Sequence, residues 1–375
     1  MRRKNIIYYF LGIIILLSSC NKEINSKDYK SFDHFGYYDT SQHTLAETED
    51  GYYTLYMGLL NYIDPATKKA YLISKEKYSI DDLLNDEELR EKSDAFYGED
   101  SNVFYDRGEL FIDNRESLIK VDPENVTAEK ISNLRFHNRS ILKDGKFFYN
   151  VISTDSESLD EKIYEFDLKT KKENLFLSND KLDKKLNNIQ WIYYEDGNLY
   201  LNPFDYYSKD VILKIDVLSK NIECIESFSD KFAFQNIFFK DKNLYFAEYE
   251  KSDTLKVDRK IEYYQYMGKD KEPKKVGSSI FPYIISSNGS TEFNTVVNGL
   301  PILKTDERFK NLLKDYSYKI IVDGKEYHLD EKYFLNNAVF TGTINSKGEP
   351  VVYASDLGKV FLFDENREAV DVFAN

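Results

Sequence analysis

Apolar and polar residues in this chain alternate with a period of two, the spacing of strands that turn one set of side chains inward. In Ser140-Ile141-Leu142-Lys143-Asp144-Gly145-Lys146-Phe147-Phe148-Tyr149 two such runs flank Asp144-Gly145. Ile192-Tyr193-Tyr194-Glu195-Asp196-Gly197-Asn198-Leu199-Tyr200-Leu201 repeats the arrangement, and Ile237 to Phe246 repeats it around Asp241-Lys242. Asp-Gly there predicts a two-residue hairpin turn, because both turn residues take positive φ and glycine does so at little steric cost. A second hairpin follows, at Ile163 to Leu175 and Ile212 to Glu223, with earlier equivalents at Leu118 to Pro123 and Tyr62 to Ala70. Its first strand ends on Asp64, Asp122, Asp167 or Asp216, each placed to accept backbone N–H groups of the turn behind it.

Two hairpins make a four-stranded antiparallel unit. The first-hairpin turns fall at Gly51, Gly108, Gly145, Gly197, Lys242, Gly289 and Gly348, at intervals of 37 to 59 residues and about 50 on average. One such sheet cannot bury both its faces alone, whereas a ring buries each against a neighbour. The expected fold is therefore all-β, a β-propeller with seven blades as the best count and six to eight as the range. A pair of β-sandwiches or a β-solenoid also offers many short strands, but the recurring two-hairpin unit favours the propeller. The tail supplies a third strand at Lys359 to Asp364 and a fourth at Ala369 to Phe373. The segment near Thr44 to Tyr53 is expected to complete that last blade and close the ring. Ser79 to Lys92 and Thr305 to Asp315 break the pattern with N-terminal caps, early acids and late bases, and each predicts a short helical insertion, a passive cover rather than a partner surface.

Composition supports strands, with 31 tyrosines, 26 phenylalanines and 7 prolines in 375 residues. The amino terminus differs from the rest. Met1-Arg2-Arg3-Lys4-Asn5 is basic, Ile6 to Leu17 carries no charge, and Leu17-Ser18-Ser19-Cys20 fits the bacterial lipobox. The apolar run is shorter than the roughly 20 residues that span a bilayer as a helix. We expect residues 1–19 to be a lipoprotein signal peptide, Cys20 the site of lipid attachment, 20–43 a flexible tether and 44–375 the propeller. The expected location is the cell membrane or outer membrane, extracytoplasmic and lipid-anchored. Loss of the signal takes the formal charge from −14 to −17, which disfavours nucleic acid and anionic membrane surfaces as partners. The second of the two cysteines, Cys224, sits in an alternating run and is expected to be a buried structural thiol.

Glu47-Thr48-Glu49-Asp50-Gly51-Tyr52-Tyr53, Leu60-Asn61-Tyr62-Ile63-Asp64 and Ser93-Asp94-Ala95-Phe96-Tyr97-Gly98 together resemble the first blade of a group of uncharacterised bacterial propeller lipoproteins. The resemblance covers the amino-terminal third and implies the fold, not an activity. Those proteins often carry a cysteine cluster between the matched stretches; here Ser74 to Lys92 holds none, so a metal or disulfide role there is not expected.

Candidate chemistry adds little. Kelch, Trp-Asp, sialidase Asp-box, EF-hand, P-loop and His-Glu-x-x-His signatures are missing, and the four histidines are scattered. No catalytic residue, metal or cofactor is assigned, and the protein is more readily a non-enzyme. Aligning the units places Asn102, His137 with Asn138 and Arg139, Gln190 with Trp191, Gln235 with Asn236, and Tyr283 just ahead of the innermost strands, and Tyr206 and Tyr207 on the same face. Amide and planar groups there suit hydrogen bonding and stacking on a ligand; otherwise they satisfy strand-end backbone and pore water. The leading expectation is noncatalytic binding of a glycan, peptide or protein partner. A propeller glycoside hydrolase or lyase and a scaffold of an envelope complex are the alternatives.

Overall fold

The computed structural model describes residues 45–153, 160–182, 189–203, 210–228, 231–240, 243–250, 261–279, 294–295, 319–322, 325–329, 340–345, 347–354 and 359–374. Among them the strands form seven antiparallel sheets, six of four strands and one of three. The first sheet comprises Leu45–Glu47, Tyr52–Tyr56, Leu59–Asp64 and Lys69–Leu72. The second runs from Asn102–Asp106 through Glu109–Asp113 and Ser117–Asp122 to Thr127–Asn133. The third holds Ser140–Lys143, Lys146–Ser153, Asp160–Asp167 and Lys172–Leu177; the fourth holds Ile189–Glu195, Asn198–Pro203, Val211–Asp216 and Ile222–Glu226. The fifth spans Phe232–Lys240 to Lys274–Ser279, the sixth Asn294–Thr295 to Lys325–His328, and the seventh Phe340–Ile344 to Ala369–Asp371. Each sheet is a consecutive meander, and this is a β-propeller.

The first strands of the first four sheets approach one another in succession, so they lie innermost. The period of two explains the packing between sheets. Val103 and Ile112 face the first sheet, while their neighbours Phe104 and Phe111 face the third. Phe147 and Tyr149 return that contact, and Phe148 between them points to the fourth sheet. Burying each such side chain contributes about 1.5–3 kcal/mol, and no single sheet could bury both sets.

The turns behave as the residue types dictate. Asp144-Gly145 and Asp196-Gly197 have φ of 53 and 74°, and 47 and 76°. Arg107-Gly108 matches them at 51 and 83°. In the first sheet the two-residue turn is instead Met57-Gly58, between the second and third strands; Gly51 closes a longer loop before the second strand. Added bulk at Gly58 would meet Phe96 at 2.6 Å, so glycine also permits the cover above it to approach. In the first, second, third, fourth and seventh sheets the turn after the third strand is held by its aspartate. Asp167 Oδ1 accepts the Thr170 N–H at 2.7 Å, and Asp216 Oδ1 accepts that of Ser219 at 2.6 Å. Asp64, Asp122 and Asp364 do the same in their sheets. Gly289 and Lys242 lie outside the described residues, as does the helix expected at Thr305 to Asp315.

The helix expected over Ser79 to Lys92 is two helices, α1 (Ile80–Asn85) and α2 (Glu87–Lys92). Ser79 and Asp82 form a capping box on α1. Asp86, at φ −131°, ends α1 and accepts the Leu89 N–H to start α2, the role a short acidic side chain prefers over a helix interior. Leu83 packs on Leu59 and Ala95, so the insertion covers the turn at Met57-Gly58.

Two expectations are corrected. Cys224 is exposed, because it lies on an outermost strand whose inward residue at this point is Ile225. The segment near Thr44 to Tyr53 does not complete the last blade: Leu45–Glu47 pairs with Tyr52–Tyr56 in the first sheet, and the carboxy-terminal end supplies all four strands of the seventh. The two sheets join face to face instead. Tyr52 and Ile63 pack with Val351, Val360, Leu362 and Val372. Ala70 donates its N–H to the Val372 carbonyl at 2.9 Å.

Val126, in the turn behind Asp122, has φ of 49°, costly for a β-branched residue. We predict that Val126→Asn, which tolerates this region, raises stability by about 0.5–1 kcal/mol. A thermal unfolding midpoint at or below that of the parent would contradict the strain.

Candidate functional site

The best-defined polar constellation lies on the face carrying the connections into the innermost strands. It is built around Asp113, the last residue of a buried strand in the second sheet. Asp113 Oδ2 accepts the Ser140 hydroxyl at 2.6 Å and lies 2.9 Å from His137 Nε2. Asn102 Nδ2 donates to the same oxygen at 3.3 Å, and the Arg115 N–H donates to Oδ1 at 2.9 Å. His137 Nδ1 lies 2.8 Å from the Arg135 carbonyl. The ring is thus held on both sides, between the Asp113 carboxylate and a backbone carbonyl. Burial is the largest influence on the Asp113 carboxyl and raises its pKa. The hydrogen bond and charge of His137, with Ser140 and Arg115, outweigh it and hold the group below the usual carboxylate range.

Serine, histidine and aspartate thus meet, but in the wrong order for acyl transfer. A nucleophilic serine needs the histidine between itself and the acid. Here serine and histidine both donate to one carboxylate oxygen, and all three side chains are buried. The geometry does the work of a latch: the end of a strand in the second sheet holds the start of the innermost strand of the third. The next two joints repeat it. Buried Glu161 accepts the Ile189 N–H at 3.0 Å, and buried Asp210 accepts that of Phe234 at 2.8 Å.

The connection Arg135 to Arg139 crosses this latch and is pinned throughout. Arg115 donates to the carbonyls of Asn138 at 2.5 Å and Asp100 at 2.8 Å. Asn150 Oδ1 accepts the N–H groups of Asn138 and Arg139 at 3.3 and 2.7 Å. Arg139 Nε donates to the Gln190 carbonyl at 2.9 Å. The Arg135 guanidinium lies 4.7 Å over the Tyr164 ring and pairs with Glu173 at 3.4 Å. Between these ties Phe136 is 65% exposed and Asn138 is exposed.

The residues expected at the rim therefore separate. Asn138 is exposed, Arg139 and Gln190 are half-buried, and Asn102 and His137 are spent on the latch. Trp191 is off the rim: with Tyr193 it faces the fifth sheet, packed among Tyr200, Phe234 and Phe246. The alternation Trp191-Ile192-Tyr193 carries that information. Gln235 and Asn236 lie in the innermost strand of the fifth sheet, where the register shifts between Phe234 and Asn236. Tyr206, Tyr207, Tyr283 and Cys20 lie outside the described residues. Phe136, Asp113 and Arg115 were not singled out from the sequence. Their signal is an acid at the corner between the second and third strands of successive units: Asp113 ends a second strand, Glu161 lies at the start of a third, and Asp210 immediately precedes one. Among the described residues no three His, Cys, Asp or Glu side chains gather in metal-binding geometry.

No family model and no curated protein matches the chain. Solved structures that resemble it include an oligogalacturonate lyase in complex with manganese, at TM-score 0.48 and 12% identity over 91% of this chain and 89% of that one. The β-propeller domain of the Trilobed protease from Pyrococcus furiosus gives 0.47 and 10%, over 92% and 86%. TolB from Acinetobacter baumannii gives 0.37 and 9%, over 88% and 63%. These likenesses concern the fold alone.

Removing the latch carboxylate strands four buried donors, so we predict that Asp113→Ala costs about 3 kcal/mol or more in denaturant unfolding. Because the folded pKa lies below the unfolded value of about 3.9, the contribution is complete above that value. It is lost as pH falls through the folded pKa. The destabilisation caused by Asp113→Ala should therefore shrink on acidification; a constant difference between pH 7 and pH 3 would contradict the assignment.

Proposed function

We propose that the chain is a lipid-anchored extracytoplasmic propeller that binds a partner without transforming it, through the connection Arg135 to Arg139. The observation that carries this reading is the pinned backbone beneath exposed Phe136 and Asn138. An aromatic ring and an amide held in solvent by a pre-ordered loop lose little conformational entropy on binding. The hydrogen bonds below them fix Gln190 and Arg139 beside the same edge. A glycan, with apolar ring faces and hydroxyl groups, and a peptide, with side chains and amides, both suit such a surface. The anchor reading rests on the lipobox ending at Cys20, and the tether 20–43 gives the ring reach from the membrane.

The test is an array of bacterial envelope glycans and envelope-protein peptides probed with the purified chain. We expect Phe136→Ala and Asn138→Ala each to weaken the bound signal at least tenfold while leaving the thermal midpoint unchanged. Binding indifferent to both substitutions would remove the site from this loop, and turnover of an arrayed glycan would overturn the noncatalytic reading. Cys20→Ala should move the protein from the membrane fraction to the soluble one; retention on the membrane would contradict the anchor.

A further inference from the structure

On the face opposite Phe136, the turns between third and fourth strands form the outer rim, and in the third, fourth and fifth sheets that rim is basic. Lys169-Thr170-Lys171 leads into Lys172 in the third sheet, Leu218-Ser219-Lys220 makes the turn of the fourth, and Met267-Gly268-Lys269-Asp270-Lys271 leads toward Lys274 in the fifth. Lys169, Lys171, Lys172, Lys269, Lys271 and Lys274 are exposed and, among the described residues, form no ion pair. The acids beside them are mostly engaged. Asp167 and Asp216 accept turn N–H groups, Glu165 and Glu262 pair with Lys220 and Lys275, and Glu173 pairs with Arg135. Asp270 and Glu272 are the acids left exposed against six free lysines. The matching turn of the second sheet, Pro123-Glu124-Asn125-Val126, carries no base. That of the first adds Lys68 and Lys69 but has no large apolar side chain at its tip.

Apolar tips project among these lysines. Leu218 is 88% exposed, the most of any large apolar side chain among the described residues, and Met267 is 40% exposed. Leu175 and Ile222 stand exposed on the outer strands next to them. The three turns touch one another. Lys220 Nζ lies 3.6 Å over the Phe176 ring and 3.4 Å from Glu165, both of the third sheet. Tyr266, beside Met267, donates its hydroxyl proton to Glu223 of the fourth sheet. Their backbones are fixed as well. The Leu218 N–H donates to Asp216 Oδ1 at 3.1 Å, and the Lys171 and Lys220 N–H groups donate to the carbonyls of Asp167 and Asp216 at 2.9 Å. The Lys271 N–H donates to the Gly268 carbonyl at 3.2 Å. Leu218 is thus held in solvent by its turn.

A projecting leucine among lysines fits a surface that is anionic outside and apolar just beneath. A nucleic acid offers phosphates but no apolar layer for Leu218, and a soluble anion uses the charges alone. We propose that this rim rests on a bilayer bearing anionic phospholipid headgroups, with Leu218 and Met267 at the headgroup boundary and the lysines among the phosphates. The formal charge of −14 opposes such contact for the chain as a whole. Both attraction and repulsion, however, fade beyond a Debye length of about 8 Å at physiological salt. That is shorter than the roughly 20 Å radius of a domain of this size, so the sign of the edge that touches decides. Asp144 and Asp196, on the turns between first and second strands, lie nearer the axis, so the ring meets the surface tilted onto its third to fifth sheets. The face carrying Phe136 then points away from the membrane. The inference rests on the anchor at Cys20, which brings the chain to a membrane. The 24 residues from 21 to 44 can span up to about 80 Å, so the anchor by itself leaves the orientation open.

The test is quenching of a fluorophore by spin-labelled lipid in vesicles that hold the full chain acylated at Cys20. The fluorophore is attached through Leu218→Cys or, on the opposite face, through Phe136→Cys, each combined with Cys224→Ser. On vesicles of phosphatidylcholine with phosphatidylglycerol, the first label should be quenched about fivefold more than the second. The difference should vanish on phosphatidylcholine alone, and in about 1 M salt, where the Debye length falls to about 3 Å. Lys169→Gln, Lys171→Gln and Lys172→Gln together with Lys269→Gln and Lys271→Gln should abolish it at unchanged thermal midpoint. Equal quenching of the two labels on the mixed vesicles would overturn the proposal, as would a difference that persists on neutral vesicles. A chain that fails to float with vesicles of either kind would overturn the anchor and this orientation together, so the two failures are told apart. The lipid and salt comparisons leave the lysines in place, so they decide the matter even if the lysine variant fails to fold.

Discussion

The first four sheets of this protein are apolar on both faces, and that constraint governs the rest of the structure. A β-sandwich sheet turns one face to water; the second sheet here turns Val103 and Ile112 one way and Phe104 and Phe111 the other, and all four are buried. Such a sheet is stable only between two neighbours. The same alternation continues through Phe147-Phe148-Tyr149 and Trp191-Ile192-Tyr193, so each of these sheets depends on the next. The chain meets the requirement by meandering, one sheet per segment of about fifty residues.

Apolar packing alone leaves the rotation of one sheet on the next loosely specified. Buried carboxylates supply that specificity. Asp113, Glu161 and Asp210 each hold the first part of the neighbouring innermost strand on one face of the ring. On the other face Asp106 accepts the N–H groups of Asp144 and Gly145 at 3.0 and 2.8 Å. A buried charge without such partners would be strongly destabilising, so each latch works only in the correct register. The surfaces proposed for binding are by-products of the same ties, since the hydrogen bonds that seat the sheets also immobilise the loops between them.

Much of this was legible in the residues themselves. The strand periodicity, the Asp-Gly turns and the aspartates closing the third strands are local, and local physics decides them. Ser79 announced a helix correctly, but a single helix was expected where Asp86 makes two, because capping preference competes with helix continuation at one residue. What could not be read locally was contact between distant segments. Cys224 sits in an alternating run, yet it lies on an outer strand whose alternate residues face water, and only the topology says so. Trp191 was placed by its nearness to the strand start, although its alternation with Ile192 assigns it to the interior. Asp113 and His137 stand 24 residues apart, and their meeting follows from the ring rather than from any spacing.

Closure is where the account is most exposed, because the first and last sheets must satisfy each other without sharing a strand. Ile63 and Tyr52 meet Val351, Val360 and Leu362 there, and Tyr327 of the sixth sheet meets Phe363 with ring centroids 5.2 Å apart. Hydrogen exchange at the Ala70 amide, which donates to the Val372 carbonyl, reports this joint directly. If the ring is closed by packing between these sheets, the Ala70 amide is protected about as strongly as amides inside the third sheet, and Val360→Ala sharply reduces its protection. Exchange of the Ala70 amide in the unaltered protein at the rate of an open strand edge would contradict the closure and, with it, the two-faced packing on which the fold depends.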